Sequence, residues 1–186
     1  LDLIGVAGER VLYDSLAAPF SMGLNLLCIY SKKHIDTPPE KKHEKQLHNK
    51  RTMSIMGGLL SKGGKCIYVA PSGGRDRPDE NGKLTVDQFD AQSIEMFYLM
   101  SKRAKKTTHF YPLALATYNL MPPPKEIGGE IGEKRITHYT PVFMKVGKEI
   151  DMANVPGLDP SDKRLSRKVR GKYIHDTVCR DYNTLA

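Results

Sequence analysis

The chain has 186 residues, with 29 lysines and arginines against 21 aspartates and glutamates, for a formal charge of +8. That length carries one domain with a sizeable core, and 39% hydrophobic with 27% charged residues is a globular rather than a disordered composition. The longest apolar runs, Leu24–Tyr30 and Pro112–Ala116, fall far short of the ~18–20 residues a bilayer-spanning helix needs, which excludes an integral membrane protein for this segment.

The chain opens at Leu1-Asp2-Leu3-Ile4, without the pattern of a signal or transit peptide, and reads as entering a fold already under way. Leu3–Ala7 is a short apolar run ending at Gly8 and predicts a strand. Val11–Met22 is ambiguous, because Pro19 limits any helix there. Leu24–Tyr30 is nearly continuous apolar sequence, the pattern of a strand buried on both faces, and it leads into Ser31-Lys32-Lys33-His34. Pro38-Pro39 opens a charged helix over Glu40–Lys62, with Leu47, Met53, Met56, Leu59 and Leu60 as its apolar stripe and Gly63-Gly64 as its stop.

Lys65–Ala70 predicts a second buried strand, stopped by Pro71, and Ser72–Lys83 a polar loop with a turn at Asn81-Gly82. Asp90 is placed to cap a helix reaching Ala104, with Ile94, Phe97, Tyr98 and Met100 on its apolar side. Phe110–Tyr118 predicts a third strand ending before Pro122-Pro123-Pro124, and Ile127–Ile136 and Val142–Ile150 alternate as sheet strands do. Asp159-Pro160 reads as cap and first-turn proline of a last helix carried by Leu165, Val169, Tyr173 and Val178. Apolar strands separated by helices predict an α/β fold with a mixed, largely parallel central sheet flanked by helices.

Ligands of open α/β sheets collect at the carboxyl ends of the strands, and two of the clearest strands end in basic loops. One carries Lys33 and His34; the other is Pro71-Ser72-Gly73-Gly74-Arg75-Asp76-Arg77-Pro78. Arg75 and Arg77 are two apart, so an extended loop presents both guanidinium forks to one side, and Gly73-Gly74 lets backbone N–H groups approach an anion. If the two strands are adjacent, Lys33, His34, Arg75 and Arg77 converge on a phosphate dianion. The alternative is a solvated ion-pair cluster of the two arginines with Asp76, Asp79 and Glu80.

Other chemistry is weaker. Ser72 lacks the leading glycine of a nucleophile elbow and reads as a loop-bonding serine. His43 and His48 lie off one helix face, and His109, His138 and His175 have no ligand-spaced partner, so no metal site is expected. Cys28, Cys66 and Cys179 are odd in number and widely spaced, which argues against disulfides or a thiolate metal site and for a reducing compartment. No nucleic-acid motif accompanies the positive charge, and the aromatics are not interleaved with it; an acidic carrier protein or an anionic lipid surface fits as well.

Seven blocks follow in order: Gly8–Val11, Ala18–Gly23, Ile29–His34, Ala70–Pro78, Pro112–Leu115, Met121–Pro124 and Ile131–Arg135. Together they resemble the soluble, plastid-type glycerol-3-phosphate 1-acyltransferases, over nearly the whole chain and most specifically in Pro-Ser-Gly-Gly-Arg-Asp-Arg-Pro. The resemblance implies transfer of an acyl group from acyl carrier protein or coenzyme A to the sn-1 hydroxyl of glycerol 3-phosphate, with no further cofactor, in a bacterial cytoplasm or a plastid stroma. It implies that Lys33, His34, Arg75 and Arg77 hold the substrate phosphate, with Ser72, Gly73 and Gly74 as the supporting loop. Ser72 stands where the wider superfamily usually has Glu.

One departure matters. The superfamily's base is a His followed five positions later by Asp, just before the Gly-Glu-Arg-Val block, and no histidine in this chain has that spacing. Residues 1–186 are therefore expected to be the C-terminal part of a single acyltransferase domain, its His-x-x-x-x-Asp upstream of Leu1. The rival expectation is a non-catalytic phosphate- or anionic-lipid-binding module that keeps the same pocket.

Overall fold

A computed structural model describes residues 2–13, 18–31, 35–73, 76–122 and 136–185. The described chain falls into two compact units, one formed by residues between 2 and 73 with 100–108, the other by 76–99, 109–122 and 136–185. Strands and helices alternate as the α/β expectation requires.

In the first unit β1 (Asp2–Gly8), β2 (Leu26–Ile29) and β3 (Lys65–Val69) form a parallel sheet in the order β2-β1-β3. Gly5 pairs with Leu26 on one side, and Ile4 with Ile67 on the other. Among the described residues a 3₁₀ turn (Glu9–Leu12) and the short α1 (Ala18–Met22) lie between β1 and β2. β2 is shorter than its apolar run, and all of its residues are half-buried rather than buried, because it is an edge strand.

α2 (Lys42–Lys62) crosses from β2 to β3 and stops where Gly63 turns to φ 75°, its N–H bonding the Leu59 and Leu60 carbonyls. Met56 sits fully buried at the centre of its inner face, but Leu47 is 40% exposed, while Lys45 and Thr52 are buried. The expected stripe is thus partly replaced by polar groups, for a physical reason. An edge strand leaves every second N–H and C=O unpaired, and α2 covers that edge with hydrogen-bonding side chains.

The second unit contains a small hairpin of β4 (Arg77–Pro78) and β5 (Leu84–Thr85), then α3 (Ala91–Arg103) as far as Leu99, the antiparallel pair β6 (Leu113–Ala116) and β7 (Phe143–Val146), and α4 (Lys163–Tyr182). The strand expected over Phe110–Tyr118 therefore pairs antiparallel with β7; the one expected from Ile127 falls, up to residue 135, outside the described residues. Asp90 caps α3 as expected, accepting from Gln92 N at 3.1 Å and Ser93 Oγ at 2.7 Å. Ile94, Ile150, Met152 and Val155 form one core cluster, with Tyr98, Phe110 and Val169 packed on it. Ala114, Val178 and Tyr182 form another, under Leu84, Val86 and Phe89.

α4 starts later than Asp159-Pro160 suggested. Asp162 is its cap, accepting from Arg164 N and Leu165 N at 2.9 Å each, while Asp159 closes the preceding turn by accepting from Ser161 N and Oγ. Both aspartates suit a cap locally. The Ser166 hydroxyl bonded to the Asp159 carbonyl at 2.6 Å holds Asp159 outside the helix. Asp162→Ala should accordingly lower stability by about 1 kcal/mol, read from denaturant unfolding, because two first-turn N–H groups lose their acceptor.

Two contacts bind α4 to α3. Gly171 lies so close to Ala91 that an added Cβ would meet its Cβ at 2.7 Å. The buried Arg170 bonds Glu95 at 2.6 Å and the Met152 carbonyl at 2.8 Å, its guanidinium 4.2 Å over the Tyr98 ring.

Candidate functional site

Because β1, β2 and β3 are parallel, their carboxyl ends share one edge of the sheet, where Gly8-Glu9, Tyr30-Ser31 and Ala70–Gly73 emerge. The adjacency assumed from sequence is corrected here: β1 lies between β2 and β3, so their tips stand about two strand spacings, roughly 10 Å, apart. Lys33, His34, Gly74 and Arg75 lie outside the described residues.

The β2 tip that leads to Lys33 and His34 is clamped by α2. Asn49 accepts from Tyr30 N at 2.8 Å and donates to Tyr30 O at 2.9 Å, filling both backbone valences as a neighbouring strand would. The Cys28 carbonyl accepts from Thr52 Oγ1 at 3.2 Å and lies 2.9 Å from His48 Nε2. The His48 ring meets Tyr30 edge-on, with centroids 5.2 Å apart. Ser31 Oγ, one step further, is buried without a partner among the described residues. Burial, then Tyr13 and Glu9, push the Tyr30 hydroxyl above the usual phenol range, and burial followed by Glu9 does the same for the Cys28 thiol. Both stay neutral at pH 7.

At the β3 tip, Gly73 N bonds the Ala70 carbonyl at 3.0 Å, closing a turn over Pro71-Ser72. Gly73 has φ 65°, a conformation a side chain would oppose. Ser72 is half-buried in that turn.

In the second unit Arg77 is half-buried as the first residue of β4, and its carbonyl accepts from Thr85 Oγ1 at 3.2 Å. Its neighbour Asp76 is only 8% exposed. The carboxylate accepts from the Tyr182 hydroxyl at 2.6 Å, from Tyr118 N at 3.3 Å and, more weakly, from Thr117 Oγ1 at 3.4 Å. Burial, then the Asp76 contact, holds the Tyr182 hydroxyl far above its usual range, so it remains a donor. Asp79 accepts from Asn81 N and Lys83 N at 2.9 Å and shapes the β4–β5 turn, where Gly82 has φ 77°. Two of the three carboxylates invoked for an ion-pair cluster are thus engaged with other donors.

The sequence missed Asp76 and Asn49 as supports. Nothing local marks either one: their partners lie 106 and 19 positions away.

Two of the described histidines have other company. His109 pairs with Glu149 at 2.7 Å, and His175 packs on Phe89 with its Nε2 3.5 Å from Cys179 Sγ. Among the described residues no three His, Cys, Asp or Glu side chains gather to hold a metal, and no helix is long and apolar enough to cross a membrane.

No family model matches the chain. It is 40% identical over 185 residues to the chloroplastic glycerol-3-phosphate acyltransferase of Spinacia oleracea, an alignment covering 99% of this chain and 39% of that protein. The Arabidopsis thaliana protein of the same name is 36% identical over 181 residues, 97% of this chain and 39% of the relative. That of Carthamus tinctorius is 39% identical over 186 residues, 99% of this chain and 40% of the relative. The resemblance drawn from the motifs is borne out, and the chain spans about two fifths of the length of these relatives.

Proposed function

We propose that this chain is part of an enzyme that transfers a fatty acyl group from a thioester to the sn-1 hydroxyl of glycerol 3-phosphate, giving 1-acylglycerol 3-phosphate for phospholipid synthesis. The observation that carries this reading is the similarity to chloroplastic glycerol-3-phosphate acyltransferases along 97–99% of the chain. In this reading residues 1–186 are the C-terminal part of one acyltransferase domain. Lys33, His34, Arg75 and Arg77 bind the phosphate, and Ser72, Gly73 and Gly74 bring backbone N–H groups to it. The chloroplastic relatives favour a plastid over the bacterial cytoplasm.

The chemistry is direct acyl transfer. The glycerol oxygen attacks the thioester carbonyl, its proton passes to a general base, the C–O bond forms, the C–S bond breaks, and the thiolate leaves with the proton. The phosphate anchors hold that hydroxyl facing the base, which lowers the entropic part of the barrier. No histidine here has Asp five positions on, so the base belongs to the part of the relatives' length that this chain does not span. That same departure favours the rival reading of a non-catalytic phosphate- or anionic-lipid-binding module.

Thiol release by the complete protein, dependent on glycerol 3-phosphate, separates the two; thioester untouched in its presence would sink the acyltransferase reading. The donor is acyl carrier protein or coenzyme A, and the start of α2 favours the acidic protein. Lys41, Lys42, Lys50 and Arg51 are exposed there, whereas Lys45 is not, being buried with its ammonium on the Thr37 carbonyl and 5.3 Å over the Tyr30 ring. The KM for acyl carrier protein should rise several-fold between low and physiological salt, and a salt-independent KM would remove this face from the docking site. Peripheral contact of the same charge with an anionic membrane is part of the proposal; nucleic acid is not.

A further inference from the structure

Between the two arginines assigned to the phosphate lies a carboxylate with a separate task. Asp76 is buried and faces inward, and its Oδ2 receives the Tyr182 hydroxyl at 2.6 Å, the length of a charge-assisted O–H···O⁻ bond. The same oxygen receives Tyr118 N, just past β6, at 3.3 Å. One side chain thus ties the arginine segment to the end of β6 and the last turn of α4, both inside a core cluster with Ala114 and Val178. On the other side Arg77 is held by β5, through the register Arg77↔Thr85. In extended backbone successive side chains alternate, so fixing residue 76 inward sets the next side chain, Arg77, to the opposite side.

We propose that Asp76, held by Tyr182, is a positioning residue of the phosphate site. It sets the backbone from which Arg77 reaches the anion, and it touches neither substrate nor reacting atoms. This rests on the reading of Arg75 and Arg77 as phosphate ligands. The last turn of α4, far along the chain from the loop, thereby decides how well glycerol 3-phosphate is held.

The test is Tyr182→Phe in the complete protein, which removes one hydroxyl and keeps the packed ring, with Asp76→Asn as the second variant. The expected result is a glycerol 3-phosphate KM raised about 10-fold, the effect of one hydrogen bond to a charged group carried through to the site. The KM for the acyl donor stays unchanged, and kcat at saturating glycerol 3-phosphate falls by less than the glycerol 3-phosphate KM rises. A purely structural role would lower kcat through loss of folded protein and would not single out one substrate. In an Arg77→Ala background Tyr182→Phe should add little, because both changes act on the same contact. An unchanged glycerol 3-phosphate KM in both variants, an equal effect on both substrates, or loss of the fold in both would each overturn the proposal. If Arg77→Ala itself leaves that KM unchanged, the phosphate reading fails instead; if only Arg77→Ala raises it, the positioning role alone is lost.

Discussion

Replacing Arg77 with alanine in the complete protein should raise the KM for glycerol 3-phosphate by about 10- to 150-fold, the range for losing one hydrogen bond between charged groups worth roughly 1.5–3 kcal/mol. Arg75→Ala should act in the same range. The effect belongs in KM because the phosphate is remote from the reacting hydroxyl and carries the same charge in ground and transition states. Some kcat is lost as well if the anchored phosphate also orients the hydroxyl. Arg77→Lys should recover only part of the binding, since an ammonium keeps the charge but not the planar fork that meets two oxygens. Arg77 is only half-buried, so a melting curve close to that of the unaltered protein is expected alongside the kinetics. Unchanged KM in both alanine variants would remove the phosphate assignment, however familiar Pro-Ser-Gly-Gly-Arg-Asp-Arg-Pro looks.

The second large effect concerns the base. A polypeptide of only these 186 residues should show negligible acyl transfer, because no histidine in it is followed five positions later by Asp. General-base catalysis contributes about 10²- to 10⁴-fold, so its loss alone should carry turnover below ordinary detection. Circular dichroism distinguishes an inactive folded chain from an unfolded one. Turnover near that of the complete protein would refute the assignment, and His34→Ala would then ask whether His34 is the base. Two of the described histidines suit that part poorly: His175 sits against Phe89 and Cys179, and His109 is committed to Glu149.

The elements that could be read from the chain are those whose ends are decided within a turn of sequence. Asp90 caps α3, Gly63 stops α2 at a positive φ, and Asp79 with Gly82 builds the β4–β5 turn, each through contacts between near neighbours. Where two local solutions compete, sequence could not choose. Asp159 and Asp162 both cap well, and Ser166 on the Asp159 carbonyl settled it for Asp162. The polar inner face of α2 was invisible for another reason. Apolar periodicity records burial against apolar partners, whereas Asn49 and Thr52 are turned inward by unpaired backbone groups of β2.

The sequence by itself determined the alternation of strands and helices, the basic loops at the strand ends, and the resemblance to an acyltransferase family, because periodicity, turn residues and contiguous motifs are local properties. Only the tertiary structure decided that β1 separates the two tips and that Asp76 turns inward to Tyr182. Strand order depends on which edges pair, and a buried carboxylate depends on which donor the fold brings to it. Neither is encoded within a few residues of the position it governs, since both follow from where distant segments are placed when the chain closes on its core.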